Sequence, residues 1–288
     1  MHSIRTALFC AAANFRKWHR NPTMIVLGLV WFVFTMNQFK GLTDWCVENG
    51  YRVTPWVVSF YTNNYYTIFV FVIALIILFS QAPFCDASAP FTMIRTGKTA
   101  WFVGQFLYIL AASFVFVAAT AGFVLVVLSP ALGFSAQWGG VLEGLTEDPS
   151  PIRERGCNLL LSRIMMEQYT PIEATAITLL MMWLTAALVG TLVLCFNTLF
   201  RPGAGLIAAG VVSAWSWFSH LGIFQYGDWM KKTCVFHWCS LMNLQPLDRS
   251  GAEISTAVWI QLAVIAVLSG VSLWRFSRRD TAFEKSLF

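Results

Sequence analysis

One segment of the 288-residue sequence resembles a phosphate-binding motif, in which backbone N–H groups hold a nucleotide. Gly97, Lys98 and Thr99 match the end of the pattern G-x-x-x-x-G-K-[ST], which also requires a glycine at position 92 and a preceding strand. Position 92 is Thr92, and a long apolar stretch typical of a membrane helix precedes the segment. We therefore predict that this chain binds no nucleotide and that Lys98 anchors a membrane helix at the lipid headgroups.

The four histidines, the side chains best suited to acid–base chemistry near neutral pH, are scattered along the chain. They are His2, His19, His220 and His237. None of them lies one helical turn from an acidic residue or from another histidine. The sequence also lacks the H-E-x-x-H pattern of zinc enzymes and the G-x-S-x-G pattern of serine hydrolases. We therefore expect a protein that is not an enzyme and that itself carries no cofactor or metal. A membrane-embedded enzyme is the weakest alternative.

The composition is that of a membrane protein. Apolar residues make up 57% of the chain and charged residues 11%, and the mean hydropathy is +0.64. Soluble domains are about 45–50% apolar and about 25% charged. So little charge cannot cover a surface that faces water, which excludes a soluble enzyme. The 19 lysines and arginines are spread along the chain, which argues against binding of nucleic acid.

Six stretches without a charged residue are each long enough for a membrane-crossing helix, which needs about 20 residues. Backbone N–H and C=O groups must be paired internally in a bilayer, so we expect each stretch to be helical. The sequence predicts an all-α membrane protein with one transmembrane domain, 1–288, in which an amphipathic interfacial helix precedes six transmembrane helices. The spans lie at about 22–39, 63–82, 101–128, 174–199, 205–222 and 255–274.

Two further segments are expected at the membrane surface. Within 3–20, bases occupy one part of the helix circumference. The apolar residues recur every three or four positions along the other part: Ile4, Leu8, Ala11, Phe15 and Trp18. This pattern is typical of a helix that lies on an anionic leaflet, and a plain basic flank of the first span is the alternative. The uncharged run 233–247 is short and contains polar side chains, which favours an interfacial or re-entrant segment.

The distribution of charge predicts the orientation. With the N-terminus inside, the inner segments hold eleven Lys and Arg residues and three acids. The outer segments then hold eight Lys and Arg residues and eleven acids. Because inner loops of membrane proteins are enriched in Lys and Arg, we predict a plasma-membrane protein whose N- and C-termini are both cytoplasmic.

The predicted outer face contains an acidic loop and four cysteines. Residues 143–172 form the longest polar region, and 157–169 within it is expected to be a short amphipathic helix. Disulfides persist outside the cell, but the sequence does not give their pairing. The cysteines placed outside are Cys46, Cys157, Cys234 and Cys239.

Three features resemble the membrane (permease) subunit of type-2 ATP-binding-cassette (ABC) exporters. They are the basic segment NFRKWHRNPTMIV before the first span, the segment PFCDASAPFTMIRTGKTAW after the second, and the polar connection 223–254 before the sixth. The resemblance implies a dimer with a second copy or a related permease, and cytoplasmic ATPase subunits that hold ATP and Mg. It also implies that 83–98 is the coupling segment that contacts the ATPase, through Pro83, Phe84, Asp86, Ser88, Pro90 and Arg95.

The same resemblance implies a substrate path between the second and fifth spans of two copies. Its candidate residues are Asn63, Asn64, Tyr65, Trp215, Trp217 and His220. Aromatic faces beside a few hydrogen-bonding groups suit an amphipathic or hydrophobic substrate, although Trp and Tyr near span ends also serve as interfacial anchors. The predicted function is therefore ATP-driven export across the cytoplasmic membrane. The alternative is a non-transporting membrane immunity or sensor protein that binds a ligand at its outer face.

Overall fold

The computed structural model describes residues 2–85, 89–220, 233–249 and 251–278, and most of these residues are helical. Short 3₁₀ turns and two paired strands, β1 Leu244–Gln245 and β2 Ala252–Glu253, lie between some of the helices. Along the described residues the helices are α1 His2–Phe15, α2 Pro22–Glu48, α3 Tyr65–Phe79, α4 Ala89–Thr96, α5 Lys98–Leu128, α6 Gly140–Glu147, α7 Ser150–Arg153, α8 Arg163–Gln168, α9 Pro171–Leu199, α10 Ala204–His220 and α11 Ile254–Arg278.

Four helices, α2, α5, α9 and α11, are long and apolar enough to cross a membrane. The chain is thus a helical membrane protein, as its composition predicts. The predicted spans 63–82 and 205–222 fall on shorter apolar helices, α3 with 15 residues and α10 with 17, and positions 221–222 lie outside the described residues. At 1.5 Å per residue α3 is about 22 Å long, less than the roughly 30 Å of a hydrocarbon core.

The second helix extends beyond the end predicted at position 39. It continues to Glu48 and carries Lys40, Asp44 and Glu48 as exposed side chains. A charged residue ends the part of a helix that lies in hydrocarbon but does not end a helix that projects into water. The charge-free stretch therefore indicates the part of α2 suited to hydrocarbon, and it underestimates the length of the whole helix.

Helix α9 is the most buried of the four long helices and packs against α3, α5, α10 and α11. Its start is fixed by a capping box, in which Thr170 N donates to Glu173 Oε2 at 3.0 Å and Glu173 N donates to Thr170 Oγ1 at 3.4 Å. Its middle allows close helix packing, because a Cβ added at Gly190 would lie 2.6 Å from Cγ2 of Ile109. The bundle is therefore organised around α9.

The predicted N-terminal helix 3–20 consists of α1 and a 3₁₀ turn, Trp18–Arg20. It packs on α5 at Gly104, where an added Cβ would lie 2.6 Å from Cβ of Cys10. Asn14 Nδ2 donates to Gln105 Oε1 at 2.9 Å, and Trp18 Nε1 donates to the Tyr108 hydroxyl at 2.6 Å.

These contacts show that part of the apolar face of this predicted amphipathic helix packs on α5. Ala11 is buried in the protein, and Phe15 packs edge-on against the Tyr108 ring at 5.0 Å. Ile4 and Leu8 remain exposed, by 69% and 54%. The sequence pattern could not distinguish a face covered by α5 from one covered by lipid, because both favour apolar residues.

Charge is unevenly distributed between the two ends of the bundle. We call the basic end the one formed by α1 and the 3₁₀ turn after it, α4, the start of α5, the turn between α9 and α10, and the end of α11. Within the described ranges this end carries no acidic residue and nine bases: Arg5, Arg16, Lys17, Arg20, Arg95, Lys98, Arg201, Arg275 and Arg278.

The opposite end, which we call the capped end, is covered by residues 50–64, 129–170, 233–249 and 251–253. Two of these connections are joined through Val53, whose N–H donates to Ala131 O and whose carbonyl accepts from Gly133 N, both at 2.9 Å. Thr54 Oγ1 also donates to Trp138 O at 2.7 Å. Residues 50–64 and 129–170 are thus joined at this end by backbone and side-chain hydrogen bonds.

The helix predicted at 157–169 is shorter than expected, since only Arg163–Gln168 is helical. The residues before it run across α2, where the Cys157 thiol donates to Gln38 O at 3.1 Å and a Cβ at Gly41 would lie 3.0 Å from Cβ of Cys157. Burial raises the pKa of the Cys157 thiol, which lowers its reactivity. Cys46, Cys157 and Cys239 form no disulfide within the described part of the chain.

Candidate functional site

A narrow crevice separates α3 from α10 within the chain, near the capped end. The family resemblance implies a substrate path between the corresponding spans of two copies. Its volume of about 10 Å³ is close to the space that one water needs. None of the described residues that line it is charged. The walls combine aromatic rings with hydroxyl groups and one imidazole, from Tyr65, Phe69, Ser213, Ser216, Trp217 and His237.

The two asparagines of the predicted path form hydrogen bonds with other segments of the capped end. Asn63 is buried, accepts a hydrogen bond from Ser240 Oγ at 3.1 Å and donates to Leu160 O at 3.0 Å. Asn64 caps α3 by accepting from Tyr66 N at 2.9 Å, and its Nδ2 donates to Asn158 O at 3.2 Å. These amides hold the capped end together, and the walls of the crevice are formed by other residues.

Tyr65 and Trp217 are the two predicted path residues that line the crevice. The Tyr65 hydroxyl donates to Asn243 Oδ1 at 2.9 Å, and its ring lies edge-on to His237 at 5.2 Å. Trp217 packs on Phe69 with ring centroids 4.7 Å apart. Both aromatic contacts span the boundary between α3 and the elements that face it.

Trp215 does not belong to this site. It is 46% exposed and lies two residues from Ser213 and Trp217, on the other side of α10. The sequence grouped both tryptophans because it gives their positions along the helix but not its rotation against α3. The side chain of His220 lies outside the described part of the structure.

Residues 233–247, predicted to be interfacial or re-entrant, form the wall of the crevice nearest the capped end. They contain two 3₁₀ turns, Val235–Cys239 and Leu241–Asn243, and the side chains of Phe236, Trp238 and Cys239 are buried. Thr62 Oγ1 donates to Cys239 O at 2.9 Å. Irregular backbone at membrane depth is tolerated where protein covers it, and this segment is covered by α3, α9 and α11.

The predicted coupling segment 83–98 packs against the bundle at its start and exposes side chains near its end. Pro83 and Phe84 lie in a turn after α3, and the Phe84 ring packs edge-on against Tyr108 at 4.7 Å. Asp86 and Ser88 lie outside the described residues. Pro90 is half-buried on α4 and Arg95 is exposed. Of the predicted coupling residues that the structure describes, Arg95 therefore remains the most accessible.

Two apolar side chains on α4 were missed by the sequence analysis. Phe91 is 70% exposed and Ile94 is 82% exposed, three residues apart on one side of the helix and next to Arg95. Their signal in the sequence is a pair of large apolar residues at helical spacing inside a short connection between two spans. Exposed apolar side chains beside a base indicate a surface for contact with another molecule.

Asn197, near the end of α9, ties this segment to the rest of the bundle. Its Nδ2 donates to Ala82 O at 2.7 Å, and its Oδ1 accepts from Gly203 N at 3.1 Å and Gly205 N at 2.8 Å. One buried amide therefore connects the turn before α4, helix α9 and the first turn of α10. The signal that could have identified it is a lone amide in a charge-free stretch.

The capped end has two adjoining clefts of about 430 and 570 Å³, within the range of small-molecule sites. Trp138, Glu143, Met166 and Glu167 line both. Arg163 bridges two acids, with Nε 2.9 Å from Glu167 and Nη1 2.9 Å from Glu147. The clefts share no lining residue with the crevice.

No metal centre is evident within the described residues, since none of their His, Cys, Asp and Glu side chains forms a group of three or more. Comparison of the chain with models of protein families, with curated proteins and with solved structures finds no match.

Proposed function

We propose that the chain is the permease subunit of an ATP-driven exporter with the type-2 ABC architecture, located in the plasma membrane with its basic end in the cytoplasm. In this proposal α3 and α10 complete a set of six spans, both termini are cytoplasmic, and the subunit pairs with a second copy or a related permease. ATP and Mg are held by a separate ATPase, and the exported substrate is amphipathic or hydrophobic.

The observation that carries the proposal is the surface of α4. Phe91 and Ile94 are exposed at the end of the bundle that holds nine bases and, in the described ranges, no acid. Basic ends of membrane proteins face the cytoplasm, where a soluble ATPase is found. Phe84 and Asn197 connect the turn after α3 to α5, α9 and α10, and α4 itself packs on α5. A force on α4 would therefore pass to α5 and to the helices that line the crevice.

A photo-crosslinking amino acid placed at position 94 tests this function in intact cells. We expect it to capture a soluble protein that contains a complete phosphate-binding loop, because Ile94 is exposed and stands beside Phe91. Position 134 is the matched control, since Phe134 is an equally exposed apolar residue (86%) at the capped end. The measurement is mass spectrometry of the captured partner at each position.

Capture of the same partner from position 134, or capture at 94 of only proteins without a phosphate-binding loop, would contradict the proposal. Replacing both Phe91 and Ile94 with Asp is expected to abolish the crosslink from a probe at position 95 while the protein still inserts. An undiminished crosslink in that variant would place the docking surface elsewhere.

The crevice supports the choice of an amphipathic substrate. We expect Trp217→Ala to reduce export about tenfold, because loss of its half-buried contact with Phe69 and the apolar area of the ring is worth roughly 1.5 kcal/mol. Trp215→Ala, two residues away and exposed, should leave export near wild type. The measurement is efflux of an amphipathic fluorescent compound that the wild type exports, at equal expression. Equal loss in both variants would show that the tryptophans act as interfacial anchors.

The clefts at the capped end favour a second candidate function, a non-transporting membrane protein that binds a ligand at its outer face. Two adjoining clefts of about 430 and 570 Å³ would admit a small molecule or part of a peptide. Such a protein would need no ATPase at α4. The crosslinking experiment at position 94 therefore distinguishes the two functions.

A further inference from the structure

A further cleft at the capped end, of about 550 Å³, lies between the end of α2 and helix α6. Its volume is within the range of small-molecule sites. Its walls combine aromatic rings, apolar side chains and one charge of each sign, and they include Trp45, Tyr51, Arg52, Leu145, Asp148 and Pro151. None of its charged or aromatic residues lines the two clefts described above. It is therefore a site with a chemistry of its own.

The aromatic wall of this cleft is formed where the chain leaves α2. Gly50 has a φ of +68°, which glycine adopts readily and which lets the chain turn back. Tyr51 N then donates to Cys46 O at 2.8 Å, and the Tyr51 ring lies 5.2 Å from that of Trp45. Trp45 is half-buried and Tyr51 is exposed, so both rings are accessible from the cleft. Ring faces of Trp and Tyr attract cations, including quaternary ammonium groups.

Arg52 and Asp148 place one positive and one negative charge in the same cleft. Arg52 Nη1 donates to Leu132 O at 3.2 Å, and Asp148 Oδ1 accepts from Ser150 N at 3.0 Å. None of the ion pairs in the described part of the chain includes either residue. The two opposite charges thus line one cleft without pairing with each other, and a ligand that carries both signs can pair with both at once.

The cleft lies at the level where phospholipid headgroups are found. Lys40 is the first exposed charge after the charge-free part of α2, and Trp45 follows five residues later. At 1.5 Å per residue, Trp45 lies about 7.5 Å beyond Lys40 along the helix. The headgroup layer on each side of a bilayer is about 5–8 Å thick. Trp and Tyr side chains concentrate at this level in membrane proteins.

These features match a zwitterionic headgroup, in which a phosphate and an ammonium group are a few bonds apart. The guanidinium of Arg52 suits the phosphate, because its planar N–H groups can bind two oxygens. Asp148 and the rings of Trp45 and Tyr51 suit the ammonium group. We propose that this cleft binds the headgroup of a zwitterionic phospholipid from the leaflet at the capped end. The inference does not depend on whether the chain is an exporter.

Native mass spectrometry of the whole purified protein in a maltoside detergent tests the site. Phosphatidylcholine and phosphatidylglycerol with the same acyl chains are added in equal amounts. We expect the first bound lipid to be phosphatidylcholine in about tenfold excess, because phosphatidylglycerol has no cation to pair with Asp148. Asp148→Asn should remove this preference, and Arg52→Gln should weaken binding of phosphatidylcholine about tenfold.

The matched controls are Glu147→Gln and Arg163→Gln. These residues carry the same charges at the same end of the molecule but line a different cleft. Both variants should bind phosphatidylcholine as the wild type does. Thermal unfolding of all four variants shows whether each is folded, and since each replaces an exposed charge with an amide, we expect Tm values near that of the wild type.

Glycerophosphocholine, which has the same headgroup without acyl chains, distinguishes a lipid from a soluble zwitterion. We expect that an excess of it does not displace the bound phosphatidylcholine. Displacement would show that the cleft takes a soluble zwitterion and would overturn the assignment to a lipid. The proposal is also wrong if the wild type shows no preference for phosphatidylcholine, or if Glu147→Gln removes the preference as completely as Asp148→Asn.

Discussion

Gly205→Ala is expected to separate α10 from α9 and to lower the free energy of unfolding by about 3 kcal/mol or more, the upper end of the range for overpacked cores. A Cβ at this position would lie 2.7 Å from Cα of Val193 and would also collide with its carbonyl oxygen. Backbone atoms cannot move aside by changing rotamer, so the two helices must move apart. Thermal unfolding in detergent, followed by tryptophan fluorescence, measures the effect.

The matched control is Gly210→Ala on the same helix. A Cβ at Gly210 would have no other atom within 4 Å, and glycine inside a helix costs roughly 0.5–1 kcal/mol relative to alanine. This variant should therefore be as stable as the wild type or slightly more stable. A similar loss of stability in both variants would mean that Gly205 acts through helix propensity and that the close approach to Val193 is unimportant.

Asn197→Leu is expected to release the turn before α4 and the start of α10 from α9. The substitution leaves three backbone groups without a partner, Ala82 O and the N–H groups of Gly203 and Gly205. Each buried group left unpaired costs about 1–3 kcal/mol. The variant should show a large fall in Tm and faster hydrogen exchange at Gly203 and Gly205, measured by mass spectrometry.

Asn49→Leu is the control for this prediction. Asn49 is exposed at the end of α2 and makes one side-chain hydrogen bond, from Nδ2 to Trp45 O at 2.8 Å. Its replacement should cost less than about 1 kcal/mol because water can satisfy the same carbonyl. If Asn197→Leu unfolds at the temperature of Asn49→Leu, the three hydrogen bonds of Asn197 do not hold the segments together.

The sequence located the helices because hydrocarbon excludes charge over a length of about 20 residues. Every charge-free stretch that we identified falls on a helix, and 22–39 begins at the residue where α2 begins. The end of α2 at Glu48 could not be placed in the same way, since Lys40 and Asp44 lie where water can solvate them. The short α3 could not be anticipated either, because a span and the turns before it can be equally apolar.

The site was predicted less well than the fold because it depends on contacts between distant residues. Asn63 pairs with Ser240 and Tyr65 with Asn243 across separations of 177 and 178 residues. A pattern of residue types carries no information about such pairs. The separation of Trp215 from Trp217 likewise depends on how α10 is rotated against α3, which a lone apolar helix does not reveal.

The coupling segment shows a different limit. The sequence predicts a long connection at 83–98, and α4 lies within it. The individual residues were harder to assign, since Phe84 and Phe91 have the same chemistry but the first packs on Tyr108 and the second is 70% exposed. Only the fold of the turn after α3 separates an anchoring residue from one that is accessible to a partner.

The layout of the capped end also constrains how the protein is made. Thr62 binds the backbone of Cys239, 177 residues further along the chain. At about 5–20 residues per second a ribosome needs roughly 10–35 s to synthesise the intervening chain. Throughout that interval the face of α3 that the 233–247 segment covers lacks this segment, and the corresponding face of α9 lacks it from the time that α9 is made. Nascent chains that stop before this segment therefore lack the hydrogen-bond partners that Thr62, Asn63 and Tyr65 find in it.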